Sequence, residues 1–181
     1  MKIRTYAVTA FTAIALLVGQ TSFAQYDKSA EADKTIVETA IATEDLSTLV
    51  AAVKAADLVE ALSSEGPFTV FAPTNDAFNA LPEGTVATLL KSENKQMLAG
   101  ILTYHVVEGN VKAADVLKLI GDNDGEANVK TLAGQTLTFW TKYDKVYVRD
   151  VNGNDAEVIM PNVETSNGTV HVINKVLMPK K

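Results

Sequence analysis

From Ile36 onward, apolar residues recur at three- and four-residue spacing: Ile36, Val37, Ala40 and Ile41, then Leu46, Leu49, Val50 and Val53. That period places them on one face of a helix, so two amphipathic helices are predicted. Thr43 is the expected N-cap of the second, with Glu44 and Asp45 in its first turn, where the helix dipole favours negative charge. A third short helix is predicted over 57–62 and ends in Ser63-Ser64-Glu65-Gly66-Pro67. Phe68-Thr69-Val70-Phe71-Ala72, rich in β-formers and bracketed by Pro67 and Pro73, reads as a strand. Thr74 or Asn75 then caps a helix carrying Ala77, Phe78 and Leu81, which Pro82 and Gly84 end. Helical spacing continues over 86–91, 96–102 and 111–120, with a strand expected over 103–107 between the last two.

The period changes in the last third. Leu137 and Phe139 alternate with Thr136, Thr138 and Trp140, and Val146 and Val148 alternate with Tyr147 and Arg149. Such alternation marks strands with one buried face. Asn152-Gly153 and Asn167-Gly168 are expected to be type I′ hairpin turns, because both residue types tolerate positive φ. Val170, Val172 and Val176 are expected on one face of a final strand. Helices in the first half and antiparallel strands in the second predict an α+β fold. No internal repeat or long linker divides the chain, so one domain is expected.

The first residues have a different character. Lys2 and Arg4 precede a mostly apolar stretch, and Ser22 and Ala24 supply small residues for cleavage. This pattern reads as an export signal over 1–24, cut after Ala24, followed by a flexible leader over 25–33 and the domain over 34–179. The apolar run is shorter than the ~18–20 residues that span a bilayer, so the product is expected to be periplasmic or extracellular and not embedded in a membrane. Loss of Lys2 and Arg4 leaves 14 basic against 22 acidic residues, which turns the formal charge of the 181-residue chain from −6 to −8. With that balance, 7 % aromatic content and no basic cluster, nucleic acid is not an expected partner.

The absence of cysteine excludes disulfide scaffolds, thiolate metal sites and thiol nucleophiles. His105 and His171 are the only side chains suited to base catalysis near neutrality, and both fall in predicted strands away from any catalytic motif. They are expected to be hydrogen-bonded core histidines. Asp122, Asp124, Glu126 and Asn128, and again Asp150, Asn152 and Asn154, have the spacing of part of a calcium loop. Ala127 and Asp155 replace its glycine, and Ala133 and Pro161 its final glutamate, so both read as solvated turns. No metal, cofactor or enzymatic activity is expected. Trp140, Tyr143 and Tyr147 could form an exposed aromatic strip for a sugar, or pack under neighbouring elements.

Three ordered motifs carry a resemblance. Residues 66–78, Gly66-Pro67-Phe68-Thr69-Val70-Phe71-Ala72-Pro73-Thr74-Asn75-Asp76-Ala77-Phe78, closely resemble the first signature of the fasciclin domain family. Tyr104-His105-Val106-Val107-Glu108-Gly109 resembles its Tyr-His motif. Residues 167–179, from Asn167-Gly168-Thr169-Val170-His171 to Met178-Pro179, resemble its second signature.

This resemblance implies an antiparallel β-wedge or sandwich with several helices packed on it. It also implies a secreted, non-enzymatic adhesion or interaction module whose partner is a surface protein or a matrix polysaccharide. The alternative is a carrier of a small apolar ligand or pigment. In animal members the Tyr-His region and an Asp-Ile pair before the second signature are associated with integrin binding. The corresponding partner-binding candidates here are Tyr104, His105, Asn162 and Val163. Asn162 stands in place of the Asp, and the lost carboxylate removes the group that could meet a receptor-bound cation, so integrin-type recognition is not expected.

Overall fold

The computed structural model describes residues 33–180, and the predicted export signal and nearly all of the leader lie outside them. Helices come first: α1 (Ile36–Ala42), α2 (Ser47–Ala55) and α3 (Val59–Ser63) precede strand β1 (Phe68–Pro73). Then α4 (Asn75–Asn79), α5 (Thr85–Leu89) and α6 (Lys95–Tyr104) lead to β2 (Val106–Glu108) and α7 (Ala113–Asp122). Strands β3 (Glu126–Lys130), β4 (Thr136–Lys142), β5 (Lys145–Arg149), β6 (Asp155–Thr165) and β7 (Gly168–Ile173) complete the chain. Helices plus a seven-stranded sheet make the fold α+β, as the patterning implies.

The sheet runs in the order β2-β1-β7-β6-β5-β4-β3. Every neighbouring pair is antiparallel except one: β1 and β7 pair in parallel, from Phe68 against Gly168 to Pro73 against Ile173. The last strand is therefore central and not an edge. Val170 and Val172 share one face as expected, and the other face is buried as well, so all six residues of the strand are buried. Val176 lies beyond this strand.

Strand β6 divides the sheet, pairing with β5 over its first three residues and with β7 thereafter, with register shifts on both sides of Met160. The sheet bends there and encloses two cores. Val70, Ala72, Val170 and Val172 point into the first, against α1 to α6. Phe71 and Ile173, on the opposite face, meet Phe139, Val148 and α7 in the second.

Local chemistry explains where elements begin. The first helix starts at a capping box, in which Glu38 N–H donates to Thr35 Oγ1 and Thr35 N–H donates to the Glu38 carboxylate at 2.8 Å. Thr43 makes no side-chain cap; its hydroxyl turns back to the Thr39 carbonyl at 2.9 Å, and a 3₁₀ turn over Glu44–Leu46 leads into α2. Thr74 caps α4 as predicted, accepting from Ala77 N–H. The two-residue hairpin with positive φ at both positions is Tyr143-Asp144, between β4 and β5, and neither Asn-Gly pair. At 152–153 only Gly153 has positive φ. At 167–168 neither residue does, because Gly168 already belongs to β7 and lies so close to the Phe68 carbonyl that any side chain would overlap it.

Asn167 ties this crossing to the helices. Its Oδ1 accepts from Ile36 N–H at 2.9 Å, and its Nδ2 donates to the carbonyls of Leu62 and Ser64 at 2.8 and 3.0 Å. Its own carbonyl accepts from Phe68 N–H. One residue thus joins the start of α1 and the end of α3 through its side chain and the first residue of β1 through its carbonyl.

Replacing Asn167 by Ala should lower unfolding free energy by about 2–3 kcal/mol, since three backbone groups, two of them in partly buried bonds, lose their partner. Asn167→Asp should cost at least as much despite equal size, because an oxygen then faces two carbonyls. Urea midpoints decide the matter, and a wild-type midpoint for the Asp variant would refute this account of the clamp.

Candidate functional site

The Tyr-His pair does not lie in a strand. Leu98, Ile101, Leu102 and Tyr104 are all buried on one side of α6, so the helix continues through Tyr104 and His105 caps its end. Of the strand expected over 103–107 only Val106 and Val107 are in β2; through Tyr104 the helical period of the buried residues prevails. Tyr104 is 0 % and His105 2 % exposed, so neither reaches the surface.

Each is fully occupied. Tyr104 Oη accepts from Val151 N–H at 3.0 Å and lies 3.4 Å from the Thr136 carbonyl; burial raises its pKa. His105 Nδ1 contacts the Ile101 carbonyl at 2.8 Å, and its Nε2 lies 2.9 Å from Leu177 N–H. A carbonyl can only accept and an amide N–H only donate, so the imidazole is neutral with its proton on Nδ1. Burial drives its pKa down to about 4.

His171 has the mirror arrangement. Its Nε2 donates to the Val111 carbonyl at 2.8 Å and its Nδ1 accepts from Asn162 N–H at 3.2 Å; burial lowers its pKa too. Asn162 itself sits at positive φ in the bulge of β6, a conformation that Asn tolerates better than most residues. Its Oδ1 accepts from Ala113 N–H at 2.8 Å, satisfying the first orphan donor of α7. The four candidates are therefore not one cluster. Tyr104 and His105 line the core near the C-terminus, whereas Asn162 and Val163 belong to β6, where Val163 packs against the helical core.

The same bulge exposes an apolar segment. Ile159 and Met160 are 49 % and 56 % exposed, and the following Pro161 is also open to solvent.

The aromatic residues behave differently from either expectation. Trp140 and Tyr147 lie directly opposite on β4 and β5 and stack at 5.0 Å, while the Arg149 guanidinium covers Trp140 at 5.0 Å. Trp140 Nε1 and Arg149 both donate to Asp155. Burial opposes ionisation of that carboxyl, but the hydrogen bonds from Arg149 and Trp140 outweigh it and hold its pKa below the usual value. This ladder occupies the Trp140 ring from within the sheet, and Tyr143 stands apart at the hairpin tip, 85 % exposed.

Asp150, read from sequence as part of a solvated turn, is buried at 4 % exposure. Its carboxylate accepts from the N–H groups of Asn152, Asn154 and Met178 and from the Asn154 amide. Its burial was missed because Asp-x-Asn-x-Asn reads equally well as an open loop. Among the described residues no group of three or more acidic or histidine side chains is placed to hold a metal ion, and no helix is long and apolar enough to cross a membrane.

Two cavities differ sharply in size. One of about 30 Å³ lies between α1, α2 and the His105 ring, with room for about one water molecule. The other is an open cleft of about 880 Å³ between α6, the 131–135 loop and the chain after β7; Met97, Gly100, Ile101 and Met178 give it an apolar lining.

Comparisons with known proteins agree with this architecture. The fasciclin domain model matches residues 44–179. Protein sll1483 of Synechocystis sp. is 52 % identical over 186 residues, covering 97 % of this chain and 96 % of that one. Transforming growth factor-beta-induced protein ig-h3 of Sus scrofa is 41 % identical over 74 % of this chain, which spans only 17 % of its length. Immunogenic protein MPB70 of Mycobacterium bovis is 39 % identical over 75 % of this chain and 64 % of its own. A solved FAS1 domain pair from the insect cell adhesion molecule fasciclin I shares the fold, with a TM-score of 0.57 and 24 % identity over 74 % of this chain and 45 % of that chain.

The His105 geometry yields a pH prediction. Its folded pKa of about 4 lies below the unfolded value of 6.5, so the unfolded chain binds more protons between these values. The stabilising contribution is present above pH 6.5 and is lost as pH falls toward 4, by about 3 kcal/mol in total. His105→Ala should cost about 2–4 kcal/mol at pH 7, through the orphaned Leu177 N–H and the cavity. The gap between wild type and His105→Gln in denaturant midpoint should narrow steadily from pH 7 to pH 4. A gap independent of pH would count against a buried neutral imidazole.

Proposed function

This chain belongs to the fasciclin domain family, and on that premise we propose that it is an exported, non-enzymatic interaction module whose partner is a surface protein or a matrix polysaccharide. The observation that carries this reading is the exposed segment Ile159-Met160-Pro161, an apolar stretch presented on a bulge that Asn162 holds in place. Apolar side chains exposed together mark interaction sites more often than chance solvent contact does.

Asn162 and Val163 serve this surface by fixing its backbone, and Tyr104 and His105 serve it only through the fold. Support for a non-enzymatic role comes from the two histidines, whose ring nitrogens are all spent on backbone groups. Export rests on the basic, apolar and small residues over 1–24, with cleavage after Ala24 and the domain beginning near Lys34.

A second reading, the carrier of a small apolar ligand, is favoured by the 880 Å³ cleft, which falls within the ~300–1,000 Å³ of ordinary ligand sites.

Binding of the purified mature protein to cell surfaces and to matrix polymers tests the first reading. Ile159→Ser with Met160→Ser should leave stability within about 0.5 kcal/mol, as exposed substitutions do, while weakening saturable binding at least roughly fivefold. Undiminished binding by this double variant, or no saturable binding by the wild type, would overturn it.

A further inference from the structure

Gly100 occupies the interior of α6, where glycine costs about 1 kcal/mol relative to alanine. Packing does not require it: a Cβ placed on Gly100 would meet nothing within 4 Å, and the residue needs no positive φ. The missing side chain instead opens the floor of the large cleft. Met97, 58 % exposed, and Met178 border that floor, and both are flexible, polarisable side chains suited to an apolar surface of variable shape.

The rim adds a direction. Among the described residues no acidic side chain lines the cleft, and Lys180 is the one basic residue that does. Its backbone is held on both sides by Gln135, with N–H to Oε1 at 2.8 Å and carbonyl to Nε2 at 3.3 Å. The backbone of a basic residue is thus fixed beside an apolar floor, within reach of its side chain, in a chain whose overall charge is −6.

We propose that this cleft binds one long-chain fatty acid, with the hydrocarbon over Gly100 between Met97 and Met178 and the carboxylate on Lys180. The inference rests on the carrier reading and goes beyond it in naming the site and the ligand class. The glycine makes sense in these terms, since helix stability is given up where the chain of the ligand must lie.

The test is titration of the purified mature protein with cis-parinaric acid, followed by fluorescence, with hexadecanoate as competitor. One saturable site is expected. Gly100→Leu fills the floor and adds a better helix former, so it should unfold at an equal or higher urea midpoint yet bind at least roughly tenfold more weakly, a difference of about 1.4 kcal/mol. Lys180→Gln should weaken hexadecanoate about fivefold, as loss of an exposed ion pair does, and leave hexadecanol unchanged. Wild-type affinity in a folded Gly100→Leu variant would overturn the site while leaving a carrier role intact. No binding of either acid would overturn the ligand class, and solvent extraction of protein from its native source would then judge the carrier reading separately. Binding to phosphatidylcholine vesicles but not to monomeric acid would also refute the proposal.

Discussion

Phe68 and Gly168 meet with no room for a side chain between them, and from that contact six residues of β1 run in parallel beside six of β7. Both cores depend on this pairing. Alternate residues of the two strands point into the helical core and into the strand-lined core, so a slip of one position would exchange Phe71 and His171 with Val70 and Val170. The buried threonines opposite one another here, Thr69 and Thr169, also reach sideways to hold the 109–111 segment, through Gly109, Val111 and Asn110. That segment leads directly into α7. The central pair therefore sets the register of the sheet and the position of the helix that closes the second core.

Without disulfides, the joints between elements are made by polar side chains bonded to backbone. Asn75 bridges α2 and its preceding turn, through Thr48 N–H and the Glu44 carbonyl. Asn167 joins α1, α3 and β1; Asn162 and His171 join β6 to α7; His105, Asp150 and Gln135 hold the chain after β7. Loops of this kind carry backbone groups that no ladder satisfies, and a buried one left unpaired costs more than the bond returns. Amides and neutral imidazoles suit the task because each offers a donor and an acceptor in a fixed geometry. The motifs that identify the family are largely these joints, which is why their most recognisable residues are buried.

Local patterning revealed much of this. The helix-then-strand order, the proline-bounded β1, the Thr74 cap and the alternation in β4 and β5 all follow from nearest-neighbour chemistry. What patterning missed depends on contacts distant in sequence. The strand expected over 103–107 begins only at Val106, because packing of Ile101 and Tyr104 extends the helix through Tyr104. Asn152-Gly153 and Asn167-Gly168 looked like primed turns, whereas that geometry occurs at Tyr143-Asp144, where strand twist and register impose positive φ on residues that do not prefer it. Asp150 could not be distinguished from a surface aspartate until the chain after β7 crossed it. The same holds at the candidate site: Tyr104, His105, Asn162 and Val163 were legible as a family motif, but only the fold separates the core pair from the pair beside the exposed bulge.

The position of β7 has a consequence for how the molecule is made. Synthesis proceeds from the amino end, so β1 emerges with its future neighbour still about one hundred residues away. Until Ile173 clears the ribosome, β1 lacks its parallel neighbour and both cores lack a wall. Closing a contact across so long a loop is slow compared with forming helices. The domain therefore completes itself only once its last strand is free, and until then its nascent chain carries an open, apolar strand edge that chaperones can hold.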